Sequence, residues 1–336
     1  MQNKKLLFWI TIFVLLFSYS AWASTNSTPL YEAQVNTDFQ LRQAPQEEAK
    51  RIQLVPKRAT VLVYHVGDEW SFIQYNGKDG YAKNKWLWLF IAIDFQAPPL
   101  PGYHNPSGVA MTTKPLQLET TQEKQHYRNA LPSGSQITLL SFDNKKQADL
   151  LYMREILSID PLAVDFLPFT SWESPLPGEI LGGYTTYYNE TLGGKLTENR
   201  NHNILLAAER INTFTVQPNE SFSFNQLCGP YTGGNGYFEA PNISTKGTGY
   251  GGGVCQVSTT LYNAVLSLPL QVTAWRIHQN IGVAYAPVAF DAAVGNSTGD
   301  FSFINTLPYP ITLSILPQEG ILTVLISRST QQDSDK

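Results

Sequence analysis

Cysteine is scarce in this chain of 336 residues, in which only Cys228 and Cys255 occur. A scaffold stapled by disulfides would carry more cysteines, so the sequence excludes that class of protein. Two cysteines in an exported chain can still pair with each other. A Cys228–Cys255 disulfide and a free, reactive thiol therefore stand as alternatives.

Charge is also low. Charged residues make up 15% of the chain and hydrophobic residues 43%, a balance that excludes a disordered chain. The net charge is −4 and no long basic run follows the extreme N-terminus, which argues against a nucleic-acid partner. No paired cysteine or histidine spacing suits zinc, and the glycine-rich segment at 251–256 lacks the lysine of a phosphate-binding loop. We therefore predict no metal and no cofactor.

The first 23 residues have the features of a secretory signal peptide. Lys4 and Lys5 precede an apolar stretch at 6–17, and Ala21-Trp22-Ala23 follows as a small-residue pattern. The apolar stretch is too short for a comfortable transmembrane helix, although an uncleaved anchor is the alternative. We predict export to the cell envelope, in the periplasm or on the extracellular face, with membrane contact only through this segment.

The length predicts two or three domains, and the pattern of strands and turns divides the chain into three parts. Residues 30–95 contain short strands, including 60–64 and 70–75, with Asn76-Gly77 as a tight turn. A linker rich in proline and glycine at 97–108 leads to residues 110–168, either a second small barrel or an irregular connection.

The last part, residues 170–330, combines helices with strands. Apolar spacing predicts helices at 201–212 and from about Cys255 onward. Predicted strands lie at 271–278, 281–285, 301–304, 311–315 and 321–326. The fold class predicted for the whole chain is α+β, mostly β.

Three consecutive glycines, Gly251, Gly252 and Gly253, lead to Cys255 at the start of the second predicted helix. A helix N-terminus presents free backbone N–H groups and a partial positive charge, which stabilise a thiolate and lower its pKa. The same N–H groups can stabilise an oxyanion, and glycines let a substrate backbone approach closely. We therefore predict Cys255 as a nucleophile.

A thiolate in acyl-transfer chemistry requires an imidazole nearby. Of the five histidines, only His202 and His278 lie in the last part of the chain. We predict His278 as the partner, with His202 as the competing candidate, and Asp291 as the group that orients the imidazole. The alternatives for that third role are Asn280, Asp300 and Asn305.

The first part resembles a bacterial SH3-like domain over residues 33–89. The resemblance rests on the order of its strands and on three sequence motifs: WSFIQY at 70–75, NGKDGY at 76–81 and WL at 86–87. It implies a small β-barrel that binds cell-wall peptide or glycan. A structural spacer is the alternative, because an SH3-like fold alone fixes no ligand.

The last part resembles the VanW domain family, named from vancomycin-resistance gene clusters, over about residues 175–325. The motifs that carry this resemblance are NRNHNILLAA at 199–208, PNESFSFN at 218–225, GGGVCQVSTTLYNA at 251–264, WRIH at 275–278, YAP at 285–287 and FDAAV at 290–294. The chain departs from the family at Gln279-Asn280, where a serine is usual, and at Ala289-Phe290, where a glycine and a basic residue are usual.

The VanW resemblance implies L,D-transpeptidation, which makes 3-3 cross-links in peptidoglycan. Cys255 would attack the carbonyl of meso-diaminopimelate in a donor tetrapeptide, and His278 would move the protons. The matching motif positions imply further residues that line or support the site: Gln256, Thr259, Tyr262 and Arg276.

Three functions stay open. The first is an exported cysteine acyl transferase that acts on peptidoglycan stem peptides. The second is a cysteine peptidase or amidase of the NlpC type, which usually carries DCSG around its nucleophile, where this chain has GVCQVS. The third is a non-catalytic wall-binding protein in which Cys228 is tied to Cys255. The sequence favours the first.

Overall fold

The computed structural model describes residues 28–67, 69–93, 103–119, 130–188, 194–242, 247–278, 283–287, 290–297 and 299–330. The predicted signal peptide, the first half of the predicted linker and Asn280 lie outside these ranges. The described chain is mostly β with few helices, which confirms the predicted α+β, mostly β class. Among the described residues, no helix combines the length and the apolar character needed to cross a membrane.

The first part is one antiparallel sheet of seven strands in the order β3-β2-β6-β5-β4-β1-β7. The bounds are β1 Tyr31–Val35, β2 Phe39–Arg42, β3 Arg51–Val55, β4 Thr60–Val66, β5 Trp70–Tyr75, β6 Lys78–Lys83 and β7 Leu87–Ala92. Asn76 and Gly77, with φ angles of 48° and 72°, form the predicted tight turn between β5 and β6. Within the described residues β3 and β7 are free edges, so the predicted SH3-like barrel is not closed there.

The middle part consists of short antiparallel strands. The bounds are β8 Gly108–Thr112, β9 Leu116–Gln117, β10 Ala130–Leu131, β11 Gln136–Leu139, β12 Ser141–Asp143, β13 Gln147–Tyr152, β14 Glu155–Ile159 and β15 Val164–Pro168. They pair as β11-β8-β15, β12-β13-β14 and β10-β9. Buried side chains such as Ile137 and Leu150 share a core with Tyr187 and Tyr285 of the last part. The middle part is therefore packed onto the last one.

The last part has a four-stranded sheet, β16-β24-β23-β17, a three-stranded sheet, β18-β22-β21, and the hairpin β19-β20. The bounds are β16 Ile180–Tyr187, α1 Gly194–Ile211, β17 Thr215–Val216, β18 Ser221–Ser223, α2 Phe224–Cys228, β19 Glu239–Pro241, β20 Thr248–Tyr250, α3 Val254–Val265, β21 Gln271–Ala274, β22 Ser302–Ile304, β23 Ile311–Gln318 and β24 Ile321–Arg328. Helix α3 packs against α1, β16 and β24, and every residue in it except Cys255 is buried.

Two predicted strands of the last part differ from the structure over the described residues. Strand β21 ends at Ala274 instead of reaching His278, because its partner β22 has only three residues and their pairing stops at Ser302. Of the strand predicted at 281–285, residues 281 and 282 lie outside the described ranges, and residues 283–287 form a turn. The Arg154 guanidinium from the middle part holds this turn, since its Nε donates to the carbonyl oxygens of Val283 and Ala286 at 2.9 Å each.

Contacts among the three parts support the region around α3. Strand β7 of the first part packs against β21 of the last. Within the predicted linker, the Tyr103 hydroxyl donates to the carbonyl oxygen of Asn263 on α3, and the Tyr103 ring lies 5.6 Å from the Phe290 ring. The C-terminal end of α3 and the segment around residue 290 are therefore packed against residues from the preceding part of the chain.

Candidate active site

The candidate nucleophile lies at the second residue of α3. Gly253 caps this helix with φ +106° and ψ −26°, a left-handed conformation that L side chains rarely adopt. A Cβ at this position would lie 2.8 Å from the carbonyl oxygen of Arg200. The backbone N–H groups of Val254 and Gln256 donate to Gly251 and Gly253, which leaves the N–H of Cys255 pointing out of the helix start.

The Cys255 thiol is half-buried and sits between three polar groups. Its Sγ lies 3.5 Å from the backbone nitrogen of Val294 and 3.4 Å from the carbonyl oxygen of the same residue, and His278 lines the same cleft. Burial raises the pKa of this thiol, but the hydrogen bond and charge of His278, with the Val294 N–H, outweigh burial. The net result holds the pKa of Cys255 below its usual range.

His278 is fixed by Asp291. The Nδ1 atom of His278 lies 2.6 Å from Asp291 Oδ2, and the backbone N–H of His278 donates to the same oxygen at 2.7 Å. Burial lowers the pKa of this imidazole, but its hydrogen bonds to Asp291 and to the thiolate outweigh burial and raise it. The Asp291 side chain is fully buried. Because Nδ1 faces Asp291, Nε2 is left for the thiol, and the two pKa shifts favour the charged forms, a thiolate and an imidazolium.

One face of α3 holds the segment that carries Asp291. Thr259 Oγ1 accepts the backbone N–H of Ala292 at 2.9 Å, and Ser258 Oγ donates to the carbonyl oxygen of Ala292 at 2.6 Å. Asn263 Nδ2 donates to the carbonyl oxygen of Phe290 at 2.7 Å. The helix that supplies the thiol therefore also sets the position of the carboxylate. The sequence predicts a supporting role for Thr259, but the same role of Ser258 and Asn263 was not predicted. Their polar side chains on a buried helix are the feature that could have indicated it.

The thiol opens into a cleft of about 260 Å³. Its walls come from α1, the hairpin β19-β20, the start of α3 and the segments at 276–278 and 293–296. The lining includes Arg200, Tyr231, Asn242, Tyr250, Gly251, Gly252, Gly253, Val254, Cys255, Arg276, His278, Tyr285, Val294 and Asn296. This volume accommodates an extended peptide or a similar small substrate group beside Sγ.

The predicted supporting residues fall into two groups. Gly251, Gly252, Gly253 and Arg276 line the cleft, whereas Gln256, Thr259 and Tyr262 are buried behind it. Tyr262 is a core residue, stacked on Trp275 with ring centroids 4.8 Å apart. A Cβ on Gly252 would lie 2.5 Å from the carbonyl oxygen of Pro241. Internal packing therefore requires a glycine there, whether or not a substrate also passes close by.

The competing candidates lie elsewhere. His202 Nε2 is 2.9 Å from the carbonyl oxygen of Gly236 and its ring stacks on Phe238, outside the cleft. The Asp300 carboxylate accepts from Ser223, Ser302 and the Asn225 backbone. Asn305 donates to the carbonyl oxygens of Val216 and Tyr309. The structure therefore places His278 and Asp291 near Cys255. His202, Asp300 and Asn305 lie elsewhere.

Cys228 has the opposite surroundings. It is fully buried at the end of α2, its Sγ lies 3.6 Å from the carbonyl oxygen of Ala207, and burial raises its pKa to about 12. Both thiols are free in the structure, so the alternative Cys228–Cys255 disulfide is not formed. Within the described ranges, no group of three or more His, Cys, Asp or Glu side chains is placed to hold a metal ion.

Comparison with known proteins finds similarity in the last part of the chain. Residues 199–327 match the model described as VanW like protein. The uncharacterized protein YoaR of Bacillus subtilis (strain 168) is 40% identical over 152 residues, which are 44% of this chain and 48% of that protein. The chain thus spans about half the length of this curated relative.

Two solved structures show a remote likeness to this chain. NlpC1 and NlpC2 from Trichomonas vaginalis align over 92% of this chain and over 96% and 100% of theirs, at 10% identity, with TM-scores of 0.18 and 0.17. These values carry no argument about function. The family match covers α1 from residue 199 onward, α3, the candidate thiol, His278 and Asp291, so this part of the chain, residues 199–327, is similar to the VanW family.

Proposed function

We propose that this chain is an exported cell-wall enzyme, a cysteine acyl transferase of the L,D-transpeptidase kind that acts on peptidoglycan stem peptides. One observation carries the proposal. Cys255 and His278 line the same open cleft, and His278 is held by the buried carboxylate of Asp291. A thiol, an imidazole and an orienting carboxylate in this order are the parts of a nucleophilic triad.

The first half-reaction forms a thioester. The Cys255 thiolate attacks the carbonyl carbon of the third residue of a donor tetrapeptide, and the oxyanion is stabilised by the free N–H of Cys255 at the start of α3. The imidazolium of His278 then gives its proton to the departing amine. The amide bond breaks, the terminal D-amino acid leaves, and the acyl group stays on Sγ.

The second half-reaction returns the enzyme to its starting state. An acceptor amine attacks the thioester carbonyl, and His278 takes the proton that this amine loses. The thiolate leaves, a new amide bond joins the two stems, and the thiolate–imidazolium pair is restored. If water attacks instead of an amine, the product is a shortened stem, which is the outcome of the peptidase or amidase alternative.

The first part of the chain is the proposed delivery module. It carries half-buried aromatic side chains in contact with one another: Trp70 meets Trp86 edge to face at 5.9 Å, and Phe72 meets Tyr81 at 5.2 Å. Aromatic faces of this kind stack on sugars and peptides. Binding of the SH3-like part to the wall, with the predicted signal peptide for export, would bring the thiol to its substrate.

The experiment incubates the chain without residues 1–23 with a disaccharide-tetrapeptide and separates the products by mass. Acyl transfer gives a cross-linked dimer with release of the terminal amino acid, hydrolysis gives a shortened stem, and a binding protein gives neither. Cys255→Ala should lower product formation at least about a thousandfold, because the nucleophile is removed.

The matched control for this substitution is Cys228→Ala, which removes the other thiol but leaves the cleft intact. We expect it to retain activity. Dimer formation that persists in Cys255→Ala would contradict the mechanism.

A further inference from the structure

The lining of the cleft carries positive charge that has no role in the proposed reaction. Its lining contains two arginines, Arg200 and Arg276, together with His278, and none of the described residues that line it is Asp or Glu. The chain as a whole carries a net charge of −4, so this concentration of positive charge is local. A cleft lined by one sign of charge attracts ligands of the opposite sign.

Arg200 is oriented from α1 toward the helix start. Its Nη2 donates to Gln256 Oε1 at 2.7 Å. Gln256 is fully buried and is itself fixed, because its Nε2 donates to Thr186 Oγ1 at 3.1 Å and to the carbonyl oxygen of Tyr187 at 2.9 Å. The partner of Arg200 in this contact is a neutral amide, so the contact fixes the guanidinium without cancelling its charge.

Arg276 approaches Cys255 from the other wall. It lies two residues before His278, and its carbonyl oxygen accepts the backbone N–H of Ala293 at 2.8 Å, which ties its backbone to the segment beside Asp291. Its aliphatic stem lies on Gly299, where φ is +136° and a Cβ would be 2.5 Å from Arg276 Cδ. Its charge and that of the Cys255 thiolate attract each other.

The aliphatic parts of both arginine side chains pack against glycine residues. A Cβ at Gly253 would lie 2.9 Å from Arg200 Cγ, just as one at Gly299 would press on Arg276. The stems of both arginines therefore pack on glycines, and both side chains line the cleft that contains the thiol. Guanidinium is the side chain best suited to bind a carboxylate, since its planar N–H groups match the two oxygens.

We propose that Arg200 and Arg276 form a carboxylate-binding subsite beside Cys255, which selects acyl donors that carry a free carboxylate next to the attacked carbonyl. This inference rests on the proposed function. In a stem tetrapeptide such a carboxylate has two sources: the C-terminus of the departing D-amino acid and the side chain of the diaminopimelate residue. Either is near enough to the scissile amide to reach a wall of the cleft while its carbonyl lies at Sγ.

The first test measures anion binding at the thiol without any turnover. Iodoacetate and iodoacetamide alkylate Cys255 by the same displacement, in which the S–C bond forms and iodide leaves, but only iodoacetate carries a carboxylate. We expect the wild-type chain to favour iodoacetate. Arg200→Gln and Arg276→Gln should each lower the ratio of the iodoacetate rate to the iodoacetamide rate by roughly tenfold, the effect of losing one charge-assisted hydrogen bond.

Arg51→Gln is the matched control, because it removes an exposed arginine of β3 that is not part of the cleft. It should leave the ratio unchanged. Arg200→Lys and Arg276→Lys keep the charge and should retain most of the preference, so the test still stands if a glutamine variant fails to fold. A ratio that stays within twofold of the wild type in either glutamine variant would overturn the two-arginine subsite.

The second test uses donors and separates the two carboxylates. Tetrapeptides amidated at the C-terminus, or at the diaminopimelate side chain, are compared with the free acid on the wild-type chain. The amide that blocks the recognised carboxylate should lower kcat/KM about tenfold or more, and equal rates for all three donors would overturn the proposal. If the alkylation ratio depends on the arginines but no donor gives a product, the subsite stands and the acyl-transfer function fails.

Discussion

Cys228 and Cys255 show how one side chain acquires opposite chemistry in a single domain. Cys228 is enclosed by the core, where burial raises its pKa to about 12, so it stays a neutral thiol. Cys255 experiences burial too, but His278 and the Val294 N–H stabilise its charged form more strongly. The difference lies in a few polar contacts, and His278 supplies the largest of the stabilising ones.

Replacing His278 tests this balance. His278→Gln removes the imidazolium, so the burial of Cys255 is no longer offset and its pKa should rise. In the wild type the thiolate is present above the lowered pKa of Cys255 and is lost as the pH falls through that value. We therefore expect the rate of alkylation by iodoacetamide at pH 6 to fall at least about tenfold in the variant, with its pH midpoint displaced upward.

The matched control is His202→Gln, which changes the competing histidine outside the cleft. Its pH profile should overlay that of the wild type. A shifted profile for His202→Gln, or an unshifted one for His278→Gln, would show that the imidazole has been assigned to the wrong residue.

Helix α3 is the element that organises the site. Its first turn presents the thiol, and Ser258, Thr259 and Asn263 hold the segment that carries Asp291. The helix can begin where it does because Gly253 adopts a left-handed conformation between Arg200 and Ile204. The geometry of the Cys255–His278–Asp291 triad therefore depends on the glycine at position 253.

Gly253→Ala should destabilise this element. The added Cβ would take an unfavourable φ and lie 2.8 Å from the backbone oxygen of Arg200. We expect the free energy of unfolding of the domain to fall by about 1–3 kcal/mol, measured by urea denaturation. Gly234→Ala is the control, since Gly234 has an ordinary φ and a Cβ added there would meet no atom of the described residues within 4 Å. An equal loss of stability in Gly234→Ala would refute the steric reason.

The sequence predicts elements best where apolar residues repeat at a regular period. Strands β4 and β5 alternate between buried and exposed residues, and α1 buries Ile204, Ala207 and Ile211 at helical spacing. The start of α1 is missed because its first turn is polar and exposed, so no apolar period marks it. The candidate nucleophile is visible in the sequence because its glycine-rich lead and helix start are contiguous.

Strand β16 could not be predicted from the local sequence pattern. Gly182-Gly183 in its interior has the composition of a turn, yet the strand pairs with β24 along its length. A Cβ on Gly182 would lie 2.2 Å from Ser267 Oγ, just beyond the C-terminus of α3. The glycine therefore avoids a close contact with a residue far along the chain, and long-range pairing also ends β21 before His278.

Across the whole molecule, the three parts are joined by shared cores, and the candidate site depends on all of them. One buried cluster includes side chains of both the first sheet and the last part, and another includes the middle part with Tyr187, Val283, Tyr285 and Ala286. Tyr285 lines the cleft, so one wall of the cleft packs against the middle part. A change there should therefore reach the thiol.

Arg154 provides the test of that coupling. It is in the middle part, and its guanidinium binds the carbonyl oxygens of Val283 and Ala286 on either side of Tyr285. Arg154→Met keeps the length of the stem but removes these charge-assisted hydrogen bonds, each worth about 1.5–3 kcal/mol. We expect faster amide hydrogen exchange at 283–287 and a lower rate of product formation from the donor tetrapeptide, because this wall of the cleft loosens.

Lys114→Met is the matched control for Arg154→Met. Lys114 also lies in the middle part, but its ion pair with Asp160, at 2.9 Å, is exposed on both sides. Such surface pairs contribute about 0–1 kcal/mol, so hydrogen exchange at 283–287 should not change. An unchanged exchange rate in Arg154→Met would contradict this role of Arg154. It would show that the turn at 283–287 is held by its packing in the shared core. The cleft would then depend on the middle part through burial of Tyr285.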